Sequence, residues 1–586
     1  MKNRYLLALM LGIALLISAC SGDSGSTQAD LADSPVQPAA TPENPVAGSP
    51  GLGDPYFPGY GNGGYDVEHY LIDLDVDMDT NFIDARVLIN AIATEDLNQL
   101  NLDFVGMTIN EIIVNGQSST YERSGSELII DIVPIAKDQR LEIEVNYEGT
   151  PGEGIDTSEL SGYELGWSYY GEGIYVAGEP SGSSTWYPVN EHPQDKALYS
   201  FEITVAEPYI VAANGTLQDV VEEDGGNTYH WTSADPIASY LVTIAIAEFE
   251  IEEERGPNNL HIRNYFGKDV PNFVRDDFNQ QADMIEFFND VFGPYPFEAY
   301  GVVVHDLDLR FALETQTLSV FGRSFTGTEV VSHELAHAWF GDSVTLETWD
   351  EIWLNEGFAT YASVLWAEHA IDREAADEFI SGMYENMAPG ESNFALSKSE
   401  LSGSLQNILP NTNYPFDIAS EALKELIGDA ISDEDFADFE GATLDKLQMA
   451  ALIRDLSISR VQLTESRFAQ FFEAIGEDEI AAEFSGGFPV PGDPGEEDLF
   501  HGAVYQRGAL TLHALRLEIG DEAFFNALRG YGEKYRYSTA STEDFVEIAE
   551  EMSGQDLDDF FDAWLYTQPI PDIPEMDLFY ADYEIE

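Results

Sequence analysis

Residues 330–362 read VVSHELAHAWFGDSVTLETWDEIWLNEGFATYA and contain the strongest functional pattern in the chain. His333 and His337 are four residues apart, so a helix places both imidazoles on one face, where their nitrogens can converge on one metal ion. A catalytic tetrahedral zinc site needs a third protein ligand and leaves its fourth position to water. Glu356 can supply that ligand if the first helix ends near Gly341-Asp342 and a second helix returns antiparallel.

A surface helix with two ordinary polar side chains is the alternative to a metal site. The chain contains only ten histidines, and two of them, His333 and His337, stand at metal-ligand spacing around Glu334. This combination strongly favours the metal site. Zinc lowers the pKa of bound water toward about 7, and a carboxylate beside it can take the released proton.

The rest of the sequence divides into a β-rich part and a mostly helical part. Short runs of alternating apolar and polar residues, separated by turn signals, predict an all-β domain that we place at residues 61–253. Apolar residues at three- and four-residue spacing predict helices, among them 373–387, 508–519 and 523–535. Together with an apolar strand at 300–304, they predict a mixed α and β domain over 254–586. Residues 392–492 are interpreted as an insert of weaker helices within this second domain.

The first sixty residues predict export and a tether. A basic start precedes an apolar run that is too short to span a membrane, so residues 1–19 are predicted to be a signal peptide. Cys20, the only cysteine, follows a junction that resembles the lipobox of bacterial lipoproteins, in which the cysteine is lipidated. An ordinary signal peptide with an incidental cysteine is the alternative. Residues 20–60 are rich in Ser, Gly and Pro and predict a disordered linker, so we expect a protein lipid-anchored at the bacterial cell envelope or surface.

Composition limits the possible partners. The 108 acidic residues against 25 basic ones give a formal net charge of −83, which argues against nucleic acid and against anionic membrane surfaces as partners. Any membrane association is therefore expected only through the N-terminal lipid. The acidic residues are scattered through every segment, which indicates a solvated surface suited to a saline or extracellular medium.

The stretch 330–362 resembles the H-E-x-x-H-x18-E signature of the gluzincin metallopeptidases, and specifically that of the aminopeptidase N family. This resemblance implies that His333, His337 and Glu356 are the ligands of one Zn²⁺ per chain. It also implies that Glu334 is the general base of the reaction.

The resemblance extends over about residues 66–570 and carries an expectation for the fold. It implies a multidomain protein with a saddle-like N-terminal all-β domain, followed by a thermolysin-like α+β catalytic domain that is mostly helical. The long helical-repeat domain of larger family members has no counterpart in the similarity, so we expect a short form of the family.

The family binds the free α-ammonium group of its substrate with two carboxylates near the metal. Phe311-Ala312-Leu313-Glu314-Thr315 stands where the family has G-A-M-E-N, which implies Glu314 as one substrate-binding residue although three of the five residues differ. Glu179, in the segment GEPSG, matches the second carboxylate. Tyr505, in VYQRGAL, matches the tyrosine of the family's Y-E-K-G-A segment, which stabilises the oxyanion of the reaction. Its large distance from Glu356 in the sequence is attributed to the insert.

The resulting prediction is a zinc-dependent aminopeptidase that acts on peptides with a free N-terminus. A thermolysin-like endopeptidase is the alternative within enzymes, and it is favoured if Glu314 and Glu179 do not face the metal. A non-catalytic, lipid-anchored binding protein with a vestigial site is the alternative outside enzymes. The complete set of ligands, base and hydroxyl donor argues against this last possibility.

Overall fold

The computed structural model describes most of the chain beyond the N-terminal segment. The predicted signal peptide, Cys20 and the first half of the predicted linker lie outside the described residues, as do parts of the predicted insert. The described residues are 42, 44–152, 165–223, 225–388, 393–397, 401–402, 405, 409–410, 413–427, 443–455, 460–476 and 489–582.

The predicted all-β domain is confirmed. Its strands alternate buried and exposed residues, as in β2, where Tyr70, Ile72 and Leu74 are buried while Asp75 and Asp77 are exposed. The strands of this part are β1 (Val46–Ala47), β2 (Tyr65–Asp77), β3 (Phe82–Ala93), β4 (Leu97–Asp103), β5 (Thr108–Val114), β6 (Gln117–Ser118), β7 (Tyr121–Ser124), β8 (Glu127–Ile135), β9 (Arg140–Gly149), β10 (Gly166–Tyr169), β11 (Gly173–Ala177), β12 (Leu198–Val205), β13 (Ile210–Ala213), β14 (Thr216–Glu223), β15 (Gly226–Thr232), β16 (Ile244–Ala247), β17 (Phe249–Arg255) and β18 (His261–Gly267).

Three sheets carry most of these strands. The largest has the order β14-β15-β12-β2-β3-β9-β5-β6, and two four-stranded sheets have the orders β1-β4-β8-β7 and β10-β11-β16-β13. Large aromatic side chains such as Trp186, Tyr187 and Tyr199 are completely buried in the core. Burial of apolar area on this scale is the main stabilising contribution to a domain of this size.

The predicted linker ends earlier than expected. Residues 44–60, assigned to the linker from their composition, pack on the folded part: β1 pairs with β4, and Phe57 is buried. The Asp54 carboxylate accepts hydrogen bonds from the backbone N–H groups of Phe57 and Trp349, each at 2.8 Å. The expectation of a disordered linker is therefore wrong for residues 44–60, because acceptors and apolar groups in a Pro- and Gly-rich segment can still find tertiary partners.

The helical part begins on a five-stranded sheet with the order β17-β18-β19-β21-β20, so strands on both sides of the predicted domain boundary share one sheet. Strands β18, β19 and β21 run parallel, and the short β20 lies antiparallel at the edge. The remaining strands are β19 (Ala299–His305), β20 (Ala312–Leu313), β21 (Ser319–Gly322), β22 (Val344–Leu346), β23 (Asn393–Ser397), β24 (Asn413–Pro415), β25 (Thr443–Asp445), β26 (Arg460–Thr464) and β27 (Ser538–Ala540).

Helices form most of this part, as predicted. The described α-helices are α1 (Asn272–Arg275), α2 (Gln281–Phe292), α3 (Thr328–Ala336), α4 (Trp353–Ala370), α5 (Arg373–Met387), α6 (Phe416–Ile427), α7 (Lys446–Asp455), α8 (Glu465–Ile475), α9 (Gly502–Lys534), α10 (Thr542–Ser553) and α11 (Asp558–Phe561). Two helices expected at 508–519 and 523–535 are one element, α9, which is broken at Gly520 with φ of 80°. Within the described residues, no helix has both the length and the apolar character needed to cross a bilayer.

Candidate metal centre and active site

The three predicted metal ligands meet between two helices. His333 lies near the end of α3, His337 follows that helix as its C-cap, and Glu356 lies in the first turn of α4. Glu356 Oε2 is 3.0 Å from His333 Nε2 and 3.5 Å from His337 Nε2, and the two Nε2 atoms are 3.1 Å apart. The structure therefore brings together all three residues that the sequence pattern selected.

The first helix ends earlier than predicted. α3 ends at Ala336 rather than near Gly341-Asp342, and a turn follows. The backbone N–H of His337 still donates to the carbonyl of His333, at 3.3 Å, so the two imidazoles keep the one-turn relation of a helix. His337 Nδ1 lies 3.0 Å from the carbonyl oxygen of Phe340, and if this nitrogen carries the proton, Nε2 is free to bind a metal.

These spacings fit a zinc ion. A tetrahedral ion that holds each ligand at about 2.0 Å separates any two ligand atoms by roughly 3.3 Å. The three measured separations, 3.0, 3.1 and 3.5 Å, lie close to that value. The side chain of His333 is 16% exposed, against 4% for Glu356 and 1% for His337, so solvent reaches the cluster on the His333 side.

Three further carboxylates face this cluster. Carboxylate oxygens of Glu179, Glu314 and Glu356 lie within 4.8 Å of one another. The same limit holds for a second group, which consists of carboxylate oxygens of Glu314 and Glu334 and a ring nitrogen of His337. All four glutamates are buried, and one carboxylate oxygen of Glu179 and one of Glu314 have no hydrogen-bond partner. Buried acceptors without partners are rare in folded proteins, and here they lie where a cationic ligand would complete them.

Burial and neighbouring charges shift the pKa values of these carboxylates in opposite directions. Burial, added to the charges of Glu314 and Glu356, raises the pKa of Glu179 well above its usual value. Burial also raises the pKa of Glu334, although His337 opposes the shift. Burial disfavours the charged form of Glu356 too, but its two histidine neighbours outweigh this effect and lower its pKa to about 2. Glu356 is thus the carboxylate best suited to stay ionised as a ligand.

The loop that carries Glu314 is anchored to the β-rich part. Asn214 Nδ2 donates to the carbonyl of Gln316 at 2.7 Å, and the N–H of Gly215 donates to Thr317 Oγ1 at 2.8 Å. Thr317 has φ of 68°, a left-handed conformation that is costly for a β-branched residue, and the hydrogen bond to Gly215 helps to hold it there. Glu179 follows strand β11 of the β-rich part. Contacts between the β-rich part and the helical part therefore fix the positions of Glu179 and Glu314 relative to each other.

Tyr505 reaches the site from a distant part of the sequence. It lies in the first turn of α9, and its ring stacks on that of His333 with a centroid distance of 6.0 Å and an interplanar angle of 22°. The long sequence separation from Glu356 therefore does not prevent the predicted hydroxyl donor from reaching the metal ligands.

Sequence reasoning missed Tyr240, which joins the β-rich part to both ligand segments. Its hydroxyl donates to the carbonyl of Gly341 at 3.2 Å and accepts from Asn355 Nδ2 at 3.1 Å. It also missed Asn214 and Thr317. The Asn214-Gly215 pair is typical of a turn. Nothing in the sequence connects that turn with the loop after Glu314.

Two family models match the chain over about three quarters of its length. The one described as the peptidase M1 N-terminal domain matches residues 66–241, and the one described as the peptidase family M1 domain matches 277–439 and 466–564. Among curated proteins, probable aminopeptidase 2 of Sulfurisphaera tokodaii is 24% identical over 81% of this chain and 50% of its own length. Aminopeptidase M1-C of Oryza sativa subsp. japonica is 24% identical over 74% of this chain and 43% of its own. The chain thus spans half or less of the length of these relatives.

Solved structures match at nearly full length. The crystal structure of the M1 zinc metallopeptidase from Deinococcus radiodurans is 25% identical, with a TM-score of 0.66, and the match covers 89% of this chain and 99% of that one. A variant of a Deinococcus radiodurans M1 zinc metallopeptidase, solved with a bound Tyr-Ser-Ala substrate, has the same TM-score at 24% identity.

The prediction of one zinc ion per chain is confirmed by these matches together with the cluster of His333, His337 and Glu356. The family models cover the β-rich and helical parts in the order in which the structure has them. On this evidence, the chain belongs to peptidase family M1.

Proposed function

We propose that this protein is a zinc-dependent aminopeptidase that removes N-terminal residues from peptides. The observation that carries the proposal is the convergence of Glu179 and Glu314 on the metal ligand Glu356, with donor atoms of all three within 4.8 Å. An endopeptidase needs no such anchors, whereas an exopeptidase must bind the free α-ammonium group beside the scissile bond. The aminopeptidase names of the relatives and the tripeptide bound to the Deinococcus neighbour support the same class of substrate.

Charge explains why the two anchors suit an ammonium group. Both side chains are buried, and repulsion between them disfavours ionisation of both when the cleft holds no cation. An ammonium group supplies three N–H donors and one positive charge. It would satisfy the unpartnered oxygens of Glu179 and Glu314 and relieve the repulsion, so the anchors select a peptide with a free amino terminus.

The remaining site residues have complementary tasks in hydrolysis. When bound, zinc supplies Lewis acidity, which lowers the pKa of water toward about 7 and polarises a carbonyl oxygen. The Glu334 carboxylate takes the proton of the attacking water and returns it to the departing amine, a role supported by its position beside His337 and Glu314. The Tyr505 hydroxyl donates a hydrogen bond to the carbonyl oxygen as this atom gains negative charge, a role supported by the stacking of the Tyr505 ring on His333.

Glu314→Gln tests the amine anchor. This substitution keeps the size of the side chain and removes its charge, so we expect kcat/KM for a free-amine peptide to fall by roughly 30-fold or more, mainly through KM. Any slow cleavage of the N-acetylated form of the same peptide should be unchanged. Glu202→Gln removes the same charge from β12, outside the site, and is the matched control.

Equal losses on the free and the acetylated peptide would remove the anchor role from Glu314. Wild-type enzyme that cleaves the acetylated peptide as fast as the free one would contradict the aminopeptidase proposal and favour a thermolysin-like endopeptidase.

We also propose that the protein is exported and held at the cell envelope through a lipid on Cys20. The sequence junction at residues 18–20 supports this proposal, and Cys20 lies outside the described residues. Cells fed with radiolabelled palmitate should incorporate label into the wild-type protein but not into Cys20→Ser, which should leave the membrane fraction. Unlabelled wild-type protein would contradict the proposal. The expectation of a short form without the helical-repeat domain stays a prediction.

A further inference from the structure

Helices α4 and α9 contact each other through two glycines. A Cβ atom added to Gly357 would lie 2.9 Å from the Cα of Gly508, and a Cβ added to Gly508 would lie 2.9 Å from the Cα of Gly357. Neither glycine has a positive φ, so other residue types could adopt both backbone conformations. Space, rather than backbone freedom, is the reason why glycine is needed at both positions.

This contact lies between two functional residues. Gly357 directly follows the metal ligand Glu356, and Gly508 lies three residues, about one helical turn, after Tyr505. The Tyr505 ring in turn stacks on the metal ligand His333. The glycine contact is therefore the point where the helix with the hydroxyl donor approaches the helix with the third ligand.

We infer that Gly357 and Gly508 are positioning residues that set the distance between the Tyr505 hydroxyl and the metal ligands. This inference rests on the proposed role of Tyr505 in hydrolysis. The glycines touch neither substrate nor metal. They act by allowing α4 and α9 to pack closely, because neither residue has a side chain at the contact.

A second set of contacts holds α9 next to the glycine contact. The buried guanidinium of Arg507 donates to the backbone carbonyls of Trp564 (2.8 Å), Ala563 (3.1 Å) and Thr567 (2.5 Å). These hydrogen bonds oppose rotation of α9 about its axis. Since Tyr505 lies within one turn of Gly508 on α9, we expect a small increase in the separation of α4 and α9 to displace its side chain.

The expected displacement is small but sufficient to matter. Ordinary van der Waals contacts of a Cβ atom begin near 3.4 Å, so an added methyl group at a 2.9 Å position requires a shift of roughly 0.5–1 Å. A displacement of about 1 Å in a catalytic group can lower turnover by about 100-fold.

Gly508→Ala and Gly357→Ala are the test variants, each assayed for zinc content, thermal midpoint, kcat and KM. We expect Gly508→Ala to keep one zinc per chain and to lower kcat by roughly 10- to 100-fold with little change in KM. Gly357→Ala should lower kcat similarly and also weaken zinc binding, because it displaces Glu356. Gly382→Ala is the matched control: this helical glycine of α5 has no atom within 4 Å of an added Cβ, so kcat should not change.

A double-variant comparison separates positioning from general damage. Tyr505→Phe should lower kcat by about 100-fold, the scale for removing one oxyanion donor. If Gly508 acts through the Tyr505 hydroxyl, Gly508→Ala in the Tyr505→Phe background should cost less than threefold more. A merely structural role would give the same factor in both backgrounds, and that outcome would overturn the inference.

The remaining outcomes are equally decisive. An unchanged kcat in Gly508→Ala would overturn the inference while leaving the role of Tyr505 intact. An unchanged kcat in Tyr505→Phe would remove the proposed role of Tyr505, and the inference with it. Failure of both alanine variants to fold would also overturn it, because the contact would then be a requirement of the fold and not a spacer.

Discussion

Glu334→Gln is expected to abolish most of the turnover of the enzyme while leaving zinc bound. The carboxylate of Glu334 is buried beside the ligand cluster, within 4.8 Å of donor atoms of His337 and Glu314, and it belongs to the same helix as His333. An amide of the same size can still form hydrogen bonds but cannot accept the proton of the attacking water. Because general base catalysis contributes about 10²- to 10⁴-fold, kcat should fall by a factor in that range with little change in KM.

The measurement combines steady-state kinetics with metal analysis. Glu374→Gln, in the exposed first turn of α5, removes an equal charge from another helix and should keep kcat within about twofold. A Glu334→Gln enzyme with near wild-type kcat would show that another group moves the proton. Parallel loss of zinc and activity would instead mean that Glu334 helps to hold the metal.

Glu356→Ala is expected to remove most of the zinc affinity. Its carboxylate is 3.0 Å from one ligand nitrogen and 3.5 Å from the other, so its loss leaves only two of the three ligands. Loss of partners that only orient the ligands of a metal costs 10- to 100-fold in affinity, so loss of a ligand should cost more than about 100-fold. Activity should disappear together with the bound zinc.

Competition with a chelator and the thermal midpoint measure this effect. Zinc binds the folded state and should raise the wild-type midpoint, because free zinc at about 100 times Kd adds about 2.7 kcal/mol of stability. The midpoint of Glu356→Ala should not respond at the same zinc concentration. Glu368→Ala removes a carboxylate from the same helix, where it pairs with Arg516, and should keep the zinc response. A full zinc complement in Glu356→Ala would exclude it as a ligand.

Local periodicity predicted the elements of this protein well. The helix expected at 373–387 has those bounds, and the strand expected at 300–304 lies within β19. The ligand pair was predictable for the same reason, since residues four apart in a helix share a face whatever surrounds it. Helix ends were less predictable: α3 stops at Ala336 because the following turn is set by tertiary contacts, including the hydroxyl of Tyr240 on the carbonyl of Gly341.

The family resemblance identified site residues that the periodicity of the sequence could not indicate. Glu314, Glu179 and Tyr505 were chosen by matching short motifs, and the structure places all three beside the ligands. Composition alone misled at residues 44–60, where a Pro- and Gly-rich segment is held by the carboxylate of Asp54. A composition that favours disorder does not reveal whether one buried acceptor has a partner nearly 300 residues away.

The sequence by itself determined the metal-ligand cluster and the two-part architecture. The cluster depends on the spacing of histidines within one helix, and the architecture on the change from the two-residue period of strands to the helical period. Only the tertiary structure decided how Glu179, Glu314 and Tyr505 come to lie beside the ligand cluster. Glu179 comes from the β-rich part, and the loop of Glu314 is held by Asn214 and a left-handed Thr317. Helix α9, which carries Tyr505, approaches α4 closely at Gly357 and Gly508. Such contacts join residues that are far apart in the chain. A local sequence pattern does not show which distant segment will pack against it.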